Sequence, residues 1–357
     1  KNQDPVTGLS LTAADFNLFG SLIELHEVVT ESTERITCME EIRAGEGYEI
    51  DTYFSTADDL KSALVTRLSF EGDQLMKLFF APAAQVIYLN RKYRREREAG
   101  FLIGTRTGFL KTQAQAENKN AKEESVRAMF FTYDTTDILY IQPVKALNLT
   151  EEGVITMQYA LQRGVQEHFH IEQDEIAATL MGGKENKNLM LLESAQGSLG
   201  ILKELAKSPA KLQAVFRMAY AICGFDPVTR TDKYPERPKA SYDDLLSYYN
   251  QPYHPVIDRH SVKAALELLI DSTPDNTPVR PYEEQYHYLL DRINPESPGE
   301  KELLDYLYQH RFVLPDATNS NLATHFAQPD FVYEHTPGNP ALIFVDGSVH
   351  RDTAVRD

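Results

Sequence analysis

The amino-acid sequence predicts a mixed α/β protein of the α+β class. Up to about residue 145, short runs of β-branched and aromatic residues alternate with turns, which is typical of an antiparallel sheet. From Glu151 onward, apolar residues recur at helical spacing. A proline-rich stretch then precedes a smaller α/β module. We therefore expect a first domain over 1–271, a linker over 272–281 and a second domain over 282–357.

The composition excludes a membrane protein and a disulfide-stabilised secreted protein. No apolar run of the 357 residues approaches the roughly 18 needed to span a bilayer. The two cysteines, Cys38 and Cys223, are far apart, and no signal peptide is recognisable, so we expect a cytoplasmic protein. The chain begins at Lys1 rather than at methionine, and we expect it to be a fragment of a longer protein.

The elements follow in order along the chain. Four segments have the composition of strands, namely 48–54, 75–80, 85–89 and 138–141, and residues 112–126 are so polar that we expect an exposed loop. Helices are expected from 151, around 174–180, and over 201–206, 242–250 and 261–270, with a strand at 188–193 and an extended connection at 224–240.

A turn of small residues, 195–200, leads into the helix expected at 201–206. Its amides could bind an anion at the start of that helix. Alternatively, its glycines allow the helix to pack closely on the preceding strand. The turn lacks the lysine of a phosphate-binding loop, so the packing interpretation is favoured.

The net charge of −17 restricts any contact with nucleic acid to a local patch, because affinity for DNA depends largely on lysine and arginine. The run 91–97 is basic enough for such a contact, and an aromatic residue within it, Tyr93, could stack on a base. The expected DNA-binding residues are Arg91, Lys92, Arg94, Arg95 and Arg97. The alternative is an ordinary solvated helix face.

Four separated stretches of sequence carry a resemblance to a known family. They are Thr136–Leu139, Ala160–Gly164, Leu192–Gly200, and Ser241–Gln251 with His254 and Asp258–His260. Together they resemble a helicase-associated domain of unknown function, which occurs at the C-terminal end of MrfA-type repair helicases and in the DISARM and Druantia anti-phage systems. The resemblance covers about residues 40–270.

This resemblance implies a DNA-processing accessory module that packs on a superfamily 2 helicase motor, in the same polypeptide or in a partner subunit. The rival class is an inert scaffold that binds a partner. The chain has no Gly-Lys-Ser/Thr phosphate loop, so any ATPase belongs elsewhere. Many members of this family have cysteines that resemble a four-cysteine zinc site around the connection 224–240. Of these, only Cys223 is present here, and Asp243 and Asp244 stand where a cysteine would be expected. We predict that no zinc is bound and that packing and hydrogen bonds hold the connection 224–240 in place.

The C-terminal module is predicted to contain two helices, 282–292 and 298–310, followed by a β-hairpin. If the hairpin turn is centred on Gly338, Asp330 lies opposite Asp346, with Cβ atoms roughly 5 Å apart. Two carboxylates at this distance repel each other unless a cation lies between them. Mg²⁺ held in this way could activate a water molecule against a phosphate.

The order of these residues resembles the PD-(D/E)XK nuclease superfamily, in the branch of the very-short-patch mismatch repair endonuclease. The resemblance implies Glu300, Asp330 and Asp346 as metal ligands, with these three and His350 as catalytic residues. The glutamate and lysine of the general motif are missing, and the chain ends at Asp357, before the last helix and strand of such a fold. The module is therefore either truncated or incomplete. Whether it is a Mg²⁺-dependent endonuclease or an inert fold stays open.

Overall fold

The computed structural model contains a large sheet covered by helices and a small second sheet with two helices of its own. It describes residues 21–25, 47–56, 63–118, 123–182, 187–194, 198–295, 297–319, 329–336 and 339–345. This arrangement confirms the predicted α+β class. Among the described residues, no helix is both long and apolar enough to cross a membrane.

Within the described residues, the large sheet has ten strands, and all pairings but one are antiparallel. The strands are β1 (Ser21–Glu24), β2 (Tyr48–Ser55), β3 (Leu64–Phe70), β4 (Asp73–Tyr93), β5 (Phe101–Gly104), β6 (Leu110–Lys111), β7 (Ser125–Pro143), β8 (Ile176–Met181), β9 (Asn188–Glu193) and β10 (Thr273–Pro278). Their order is β10-β3-β4-β7-β5-β6. Strand β2 also pairs with β4, and β9 also pairs with β7 and carries β8 on its other side. Strand β1 pairs with β7 in the parallel direction.

The predicted strands lie in this sheet. Segment 48–54 corresponds to β2, and 138–141 lies within β7. Segments 75–80 and 85–89 are the two halves of one strand, β4, which is 21 residues long. Its pairing with β7 shifts register between Ala81 and Ala84, and Ala83 has φ +45°. The break between the two runs is therefore a β-bulge and not a hairpin turn.

A buried carboxylate fixes the turn that follows β9. Glu193 is 1% exposed, and its carboxylate accepts hydrogen bonds from Ser198 Oγ (2.7 Å) and from the amides of Leu199, Gly200 and Leu202. These charge-assisted bonds offset the cost of burying the charge. The anion at this helix start is thus a side chain of the protein itself.

A second acid, Asp137, connects the same turn to the bulge in β4. Its Oδ1 accepts from Ala83 N at 2.9 Å, and its Oδ2 accepts from Ser198 Oγ at 2.9 Å. The hydroxyl of Thr136 donates to the carbonyl of Glu193. Two of the stretches that carried the resemblance, 136–139 and 192–200, therefore meet in one buried polar cluster.

Helices pack on the large sheet, and all but the first, which has no buried residue, contribute to its core. They are α1 (Gln113–Ala116), α2 (Glu151–Phe169), α3 (Ile201–Lys207), α4 (Pro209–Ile222) and α5 (Lys263–Asp271), with 3₁₀ turns at Lys145–Leu147, Tyr248–Tyr253 and Arg259–Val262. The helices predicted from 151, over 201–206 and over 261–270 are confirmed. A Cβ added at Gly164 of α2 would lie 2.9 Å from Val215 O of α4, so glycine lets these two helices approach closely.

Two other predictions of secondary structure were wrong, and a third was wrong in part. Residues 174–180, predicted as helix, contribute to strand β8. The helix predicted at 242–250 is a turn followed by a 3₁₀ helix, because the side chains of Asp244 and Asn250 accept hydrogen bonds from the amides of Ser241 and Ser247. Such local bonds compete with helix formation. The polar loop 112–126 includes the short helix α1, which begins with a capping box.

The expected linker, 272–281, includes an edge strand of the large sheet. Residues 273–278 form β10, which pairs with β3 in the register Thr273↔Ser69 to Pro278↔Leu64. Proline is compatible with an edge strand, since one side of the strand needs no donor. The prolines of this segment therefore do not mark an unstructured connection.

Arg259 holds the connection 224–240 in place. Its side chain is fully buried and donates five hydrogen bonds, to the carbonyls of Cys223, Tyr234 and Pro238 and to both carboxylate oxygens of Asp232. The guanidinium group also lies over the Phe225 ring, 5.2 Å from its centroid. The predicted hold by packing and hydrogen bonds is present in this network.

The Cys223 and Asp244 side chains have structural surroundings of their own. The thiol is fully buried, and burial raises its pKa to about 12, so it is neutral at pH 7. The carboxylate of Asp244 accepts from Ser241 N at 2.7 Å and from Ser241 Oγ at 2.8 Å. The absence of zinc remains a prediction.

The C-terminal module contains α6 (Tyr282–Leu290), α7 (Pro298–Gln309) and a sheet of β11 (Ala317–Thr318), β12 (Phe331–Thr336) and β13 (Asn339–Ile343). Its core contains Leu289, Leu304 and Phe331. The two helices and the hairpin are confirmed, but the predicted register is wrong. Phe331 pairs with Ile343, whereas a turn centred on residue 338 would pair it with Val345.

We predict that Glu193→Gln destabilises the protein by about 3 kcal/mol. The amide removes a charge that accepts from four donors and places an NH₂ group against backbone N–H groups. Urea unfolding followed by circular dichroism measures the change. Glu204→Gln is the control, because the exposed pair of Glu204 with Lys211 should contribute at most about 1 kcal/mol. Equal losses in the two variants would contradict the proposed role of Glu193.

We predict that Arg259→Lys costs about 3 kcal/mol, since lysine cannot reproduce the planar fork. The control, Arg230→Lys, alters a more exposed pair with Asp271 and should cost at most about 1 kcal/mol. Arg259 holds the pKa of Asp232 below its ordinary value of 3.8. The stabilisation is therefore full above that value and is lost as pH falls through the lower folded pKa. The two proteins should converge in acid, and a constant gap between them would refute this account.

Candidate functional site

The predicted basic run lies at the end of β4 and in the turn that follows, so the helix-face alternative was wrong. Arg91 lies 3.5 Å from Glu49 and 3.4 Å from Asp51, and Lys92 lies 3.1 Å from Glu49. These two cations are therefore neutralised by acids of β2. They fasten the end of β4 to the neighbouring strand.

The other three arginines of the run are exposed. Arg94 donates from Nε to the carbonyl of Tyr48 at 3.2 Å, which fixes the start of the turn. Arg95 and Arg97 form no ion pair with any residue that the structure describes. We call Arg94, Arg95 and Arg97 the arginine turn. It is the exposed part of the predicted DNA-binding run.

Tyr93, the residue directly before the arginine turn, packs against two other aromatic rings. The ring of Tyr93 stacks on Tyr48 at a centroid distance of 5.1 Å and meets the edge of Phe101, also at 5.1 Å. Partial burial, aided by Tyr48, raises the pKa of Tyr93. Tyr93, which was expected to stack on a base, is thus already stacked within the protein, whereas Tyr48 is 44% exposed.

Two of the four predicted nuclease residues lie in described parts of the chain, near the same corner of the C-terminal module. Asp330 Oδ2 accepts from Val345 N at 2.6 Å. Glu300 is 2% exposed, and its Oε2 accepts from Asn294 N at 3.0 Å. A Cβ added at Gly299 would lie 3.0 Å from Cγ1 of Val345, so the start of α7 and Asp330 converge on this valine.

Asp346 and His350 lie outside the described residues, so the proposed site as a whole stays a prediction. Within the described part of the chain, no group of three or more His, Cys, Asp or Glu side chains could hold a metal ion. Glu300 and Asp330 each use one carboxylate oxygen for a backbone amide. Each carboxylate keeps further lone pairs with which it could bind a metal.

A cavity that the sequence did not indicate lies between α2, the start of β8 and the segment 245–250. Its volume is about 280 Å³. It is lined by Tyr159, Gln162, Arg163, Gln166, Gln173, Asp174, Ile176, Ala177, Ala178, Leu245, Ser247, Tyr249 and Asn250. The resemblance stretches 160–164 and 241–251 therefore meet at its wall.

Three glutamines, one helical turn apart, connect α2 to β8 and to the turn that precedes it. Gln158 donates to Ala178 O at 3.2 Å, Gln162 to Ile176 O at 2.7 Å and Gln166 to Gln173 O at 3.1 Å. We call them the glutamine ladder. No pattern of hydrophobic residues signals it, although the i, i+4 spacing of the glutamines is visible in the sequence.

One solved structure to which this chain is similar is the crystal structure of the DUF1998 helicase MrfA bound to DNA. The TM-score is 0.34 at 10% sequence identity, and the match covers 62% of this chain and 25% of that chain. This chain therefore spans about a quarter of that protein. No protein-family model and no curated protein matches the sequence. The expected relations to a nuclease and to anti-phage systems stay predictions.

Proposed function

We propose that this chain is a DNA-binding accessory module of a bacterial superfamily 2 helicase that acts in DNA repair or anti-phage defence. The observation that carries the proposal is the arginine turn, because three exposed arginines stand together on a protein whose net charge is −17. Arginine contacts DNA phosphates through charge-assisted hydrogen bonds. The contact is therefore expected to be local.

The surroundings of the arginine turn favour binding to phosphate over a purely structural role. Arg91 and Lys92 already neutralise Glu49 and Asp51, so Arg95 and Arg97 are not needed for that purpose. The backbone amide of Arg94 donates to the carbonyl of Gly47, just before β2, and its Nε donates to the carbonyl of Tyr48, the first residue of β2, which restricts the turn before any ligand arrives. A restricted turn loses less conformational freedom on binding. The helicase motor is the expected partner in the same polypeptide or in another subunit.

Replacing Arg95 and Arg97 together by alanine should weaken DNA binding and flatten its dependence on salt. Each lost phosphate contact lowers the slope of log K against log salt by about 0.7 for single strands and about 0.9 for duplex. Fluorescence anisotropy with single-stranded and duplex DNA at several salt concentrations measures both effects.

The matched control replaces Lys203 and Arg217 by alanine. These cations are exposed on α3 and α4, so the change in net charge is the same. If the control pair flattens the salt dependence as much as the arginine pair does, the binding is unspecific attraction, and the arginine turn is not the interface.

As a second function, we propose a metal-dependent DNA endonuclease site in the C-terminal module. The convergence of Asp330 and the start of α7, which carries Glu300, on Val345 supports it, since Asp346 is the next residue. Mg²⁺ held by Glu300, Asp330 and Asp346 would polarise a phosphate and activate water, with His350 as proton donor or acceptor.

With Mg²⁺ or Mn²⁺, the protein should cleave single-stranded, duplex or forked DNA, and Asp330→Asn should abolish cleavage. The asparagine keeps a side-chain oxygen for Val345 N, so thermal unfolding should change little. The control for a general change in this module is Asp305→Asn, which alters the hydrogen bond from Tyr286 of α6 to Asp305 of α7. Full activity in Asp330→Asn would eliminate the site. A folded protein that binds DNA without cutting it would support the inert alternative.

A further inference from the structure

We infer that Arg280 and Arg292, held on the two faces of the Tyr288 ring, bind neighbouring phosphates of a DNA strand. We call these three residues the arginine–tyrosine clamp. The inference deepens the proposed DNA binding and rests on it. It adds a contact in the C-terminal part of the chain, far in sequence from the arginine turn, and it does not depend on cleavage of the DNA.

Two segments of the chain bring the arginines to one ring. Arg280 follows β10 and Arg292 follows α6, whereas Tyr288 lies on α6 between them. The Cζ atom of Arg280 lies 3.6 Å from the centroid of the ring, and the Cζ atom of Arg292 lies 3.9 Å from it. One face has no room for two guanidinium groups at these distances, so the groups lie on opposite faces. The two positive charges are thus separated by a single aromatic ring.

No acid of the described protein neutralises the two arginines. Glu284 and Asp291 are close in sequence, but no carboxylate of the described residues forms an ion pair with Arg280 or Arg292. Two like charges held this close repel each other, and bound phosphate removes that repulsion. The acidic groups of the rest of the chain are screened beyond about 8 Å at physiological salt. The clamp should therefore bind phosphate by direct contact and not by attraction from a distance.

The N–H groups that would contact phosphate are accessible. Arg280 is half-buried, but none of its side-chain nitrogen atoms is both buried and without a partner, and its guanidinium has no acceptor among the described residues. Its N–H groups therefore face solvent. Arg292 is exposed, and one of its N–H groups, on Nη1, donates to Tyr288 O at 3.2 Å. A guanidinium presents its N–H groups as a planar fork, which matches two oxygens of one phosphate.

A structural cluster of cations and an aromatic ring in the same protein has different surroundings. Two cations also lie near the ring of Phe225, that of Arg259 at 5.2 Å and that of Lys263 at 5.6 Å. Both are neutralised, Arg259 by Asp232 and Lys263 by Glu267. The clamp has the aromatic support of such a cluster without its acids. Phosphates of a ligand would supply the missing negative charge.

Hydrogen bonds fix the backbone on both sides of the clamp. At one side, the amide of Val279 donates to the carbonyl of Ala63 at 3.1 Å. At the other side, Asn319 donates from Nδ2 to Arg292 O at 3.1 Å and from its amide to Asp330 O at 3.2 Å. A restricted site loses less conformational freedom on binding. Because Asn319 bonds both residues, a strand held by Arg292 would lie near Asp330, in the region of the proposed endonuclease site.

The test measures fluorescence anisotropy of a labelled oligo(dT) of about 12 nucleotides with the whole chain. Arg280→Ala should weaken binding roughly threefold to tenfold, since it removes a charge-assisted contact at an accessible site. The slope of log K against log salt should fall by about 0.7. The same losses are expected when Arg95 and Arg97 are already alanine, because the two sites contact different phosphates.

A second variant, Tyr288→Leu, changes no charge. It should weaken binding as well, because both arginines lose the ring that holds them in place. Thermal unfolding shows whether each variant is folded. If Tyr288→Leu does not fold, Arg280→Ala decides alone, because it removes no hydrogen bond of the described protein.

The matched controls are Arg237→Ala and Tyr234→Leu. The Cζ atom of Arg237 lies over the Tyr234 ring, 3.8 Å from its centroid, and Arg237 is half-buried, as Arg280 is. Each control therefore removes the same type of group from a single arginine–tyrosine stack in the large domain. Neither should change the affinity or the salt dependence. An equal loss in the clamp variants and in the controls would refute the clamp.

The outcomes distinguish this inference from the proposed function. If both clamp variants bind oligo(dT) as the unsubstituted protein does, the clamp does not contact DNA, whereas binding through the arginine turn still stands if its own variants are weaker. An acidic protein as the true ligand of the clamp would give this same result. If the unsubstituted protein binds no DNA, the proposed DNA binding fails, and the inference fails with it.

Discussion

The architecture depends on one buried polar contact, in which Ser198 shares its hydroxyl between the carboxylates of Asp137 and Glu193. A hydroxyl has one proton to donate, so two acids meet around one hydrogen. Through Asp137 this contact fixes the bulge of β4, and through Glu193 it fixes the start of α3. The bend of the central strand and the position of the helical layer are therefore set together. Apolar packing, which is not directional, could not couple them in this way.

Arg259 is a second buried charged group that holds several chain segments together through hydrogen bonds. An arginine, an aspartate and three carbonyl groups organise the connection 224–240, for which the sequence predicted a hold by packing and hydrogen bonds. The guanidinium group cannot lose its charge, and its five N–H groups point in fixed directions, so it can hold several chain segments at once. In both clusters, residues distant in sequence are joined by polar bonds that exclude alternative arrangements of the same apolar core.

The sequence predicted those elements whose pattern is local. Strand β2 and helix α2 were visible because burial imposes a period on each of them. Strand β8 and the 3₁₀ segment after Ser247 were not visible, because hydrogen bonds of the glutamine ladder and of two side-chain caps, and not an apolar period, decide their structure. At the candidate sites, composition identified the arginine turn but could not show that Arg91 and Lys92 are neutralised across a strand pair. The sequence did not indicate the cavity, because the cavity forms only where residues 160–164 and 241–251 lie side by side in the fold.

The position of β10 determines where this protein can be divided. Residues 273–278 close the large sheet on the β3 side, and Val279 N still donates to the carbonyl of Ala63. A cut at residue 271 would strip an edge strand and leave the N–H and C=O groups of β3 open to pairing with another molecule. A fragment that ends after residue 279 keeps the sheet complete. Dissection of the two modules should therefore begin downstream of Val279, whereas a reading of composition alone would have placed the cut before Thr273.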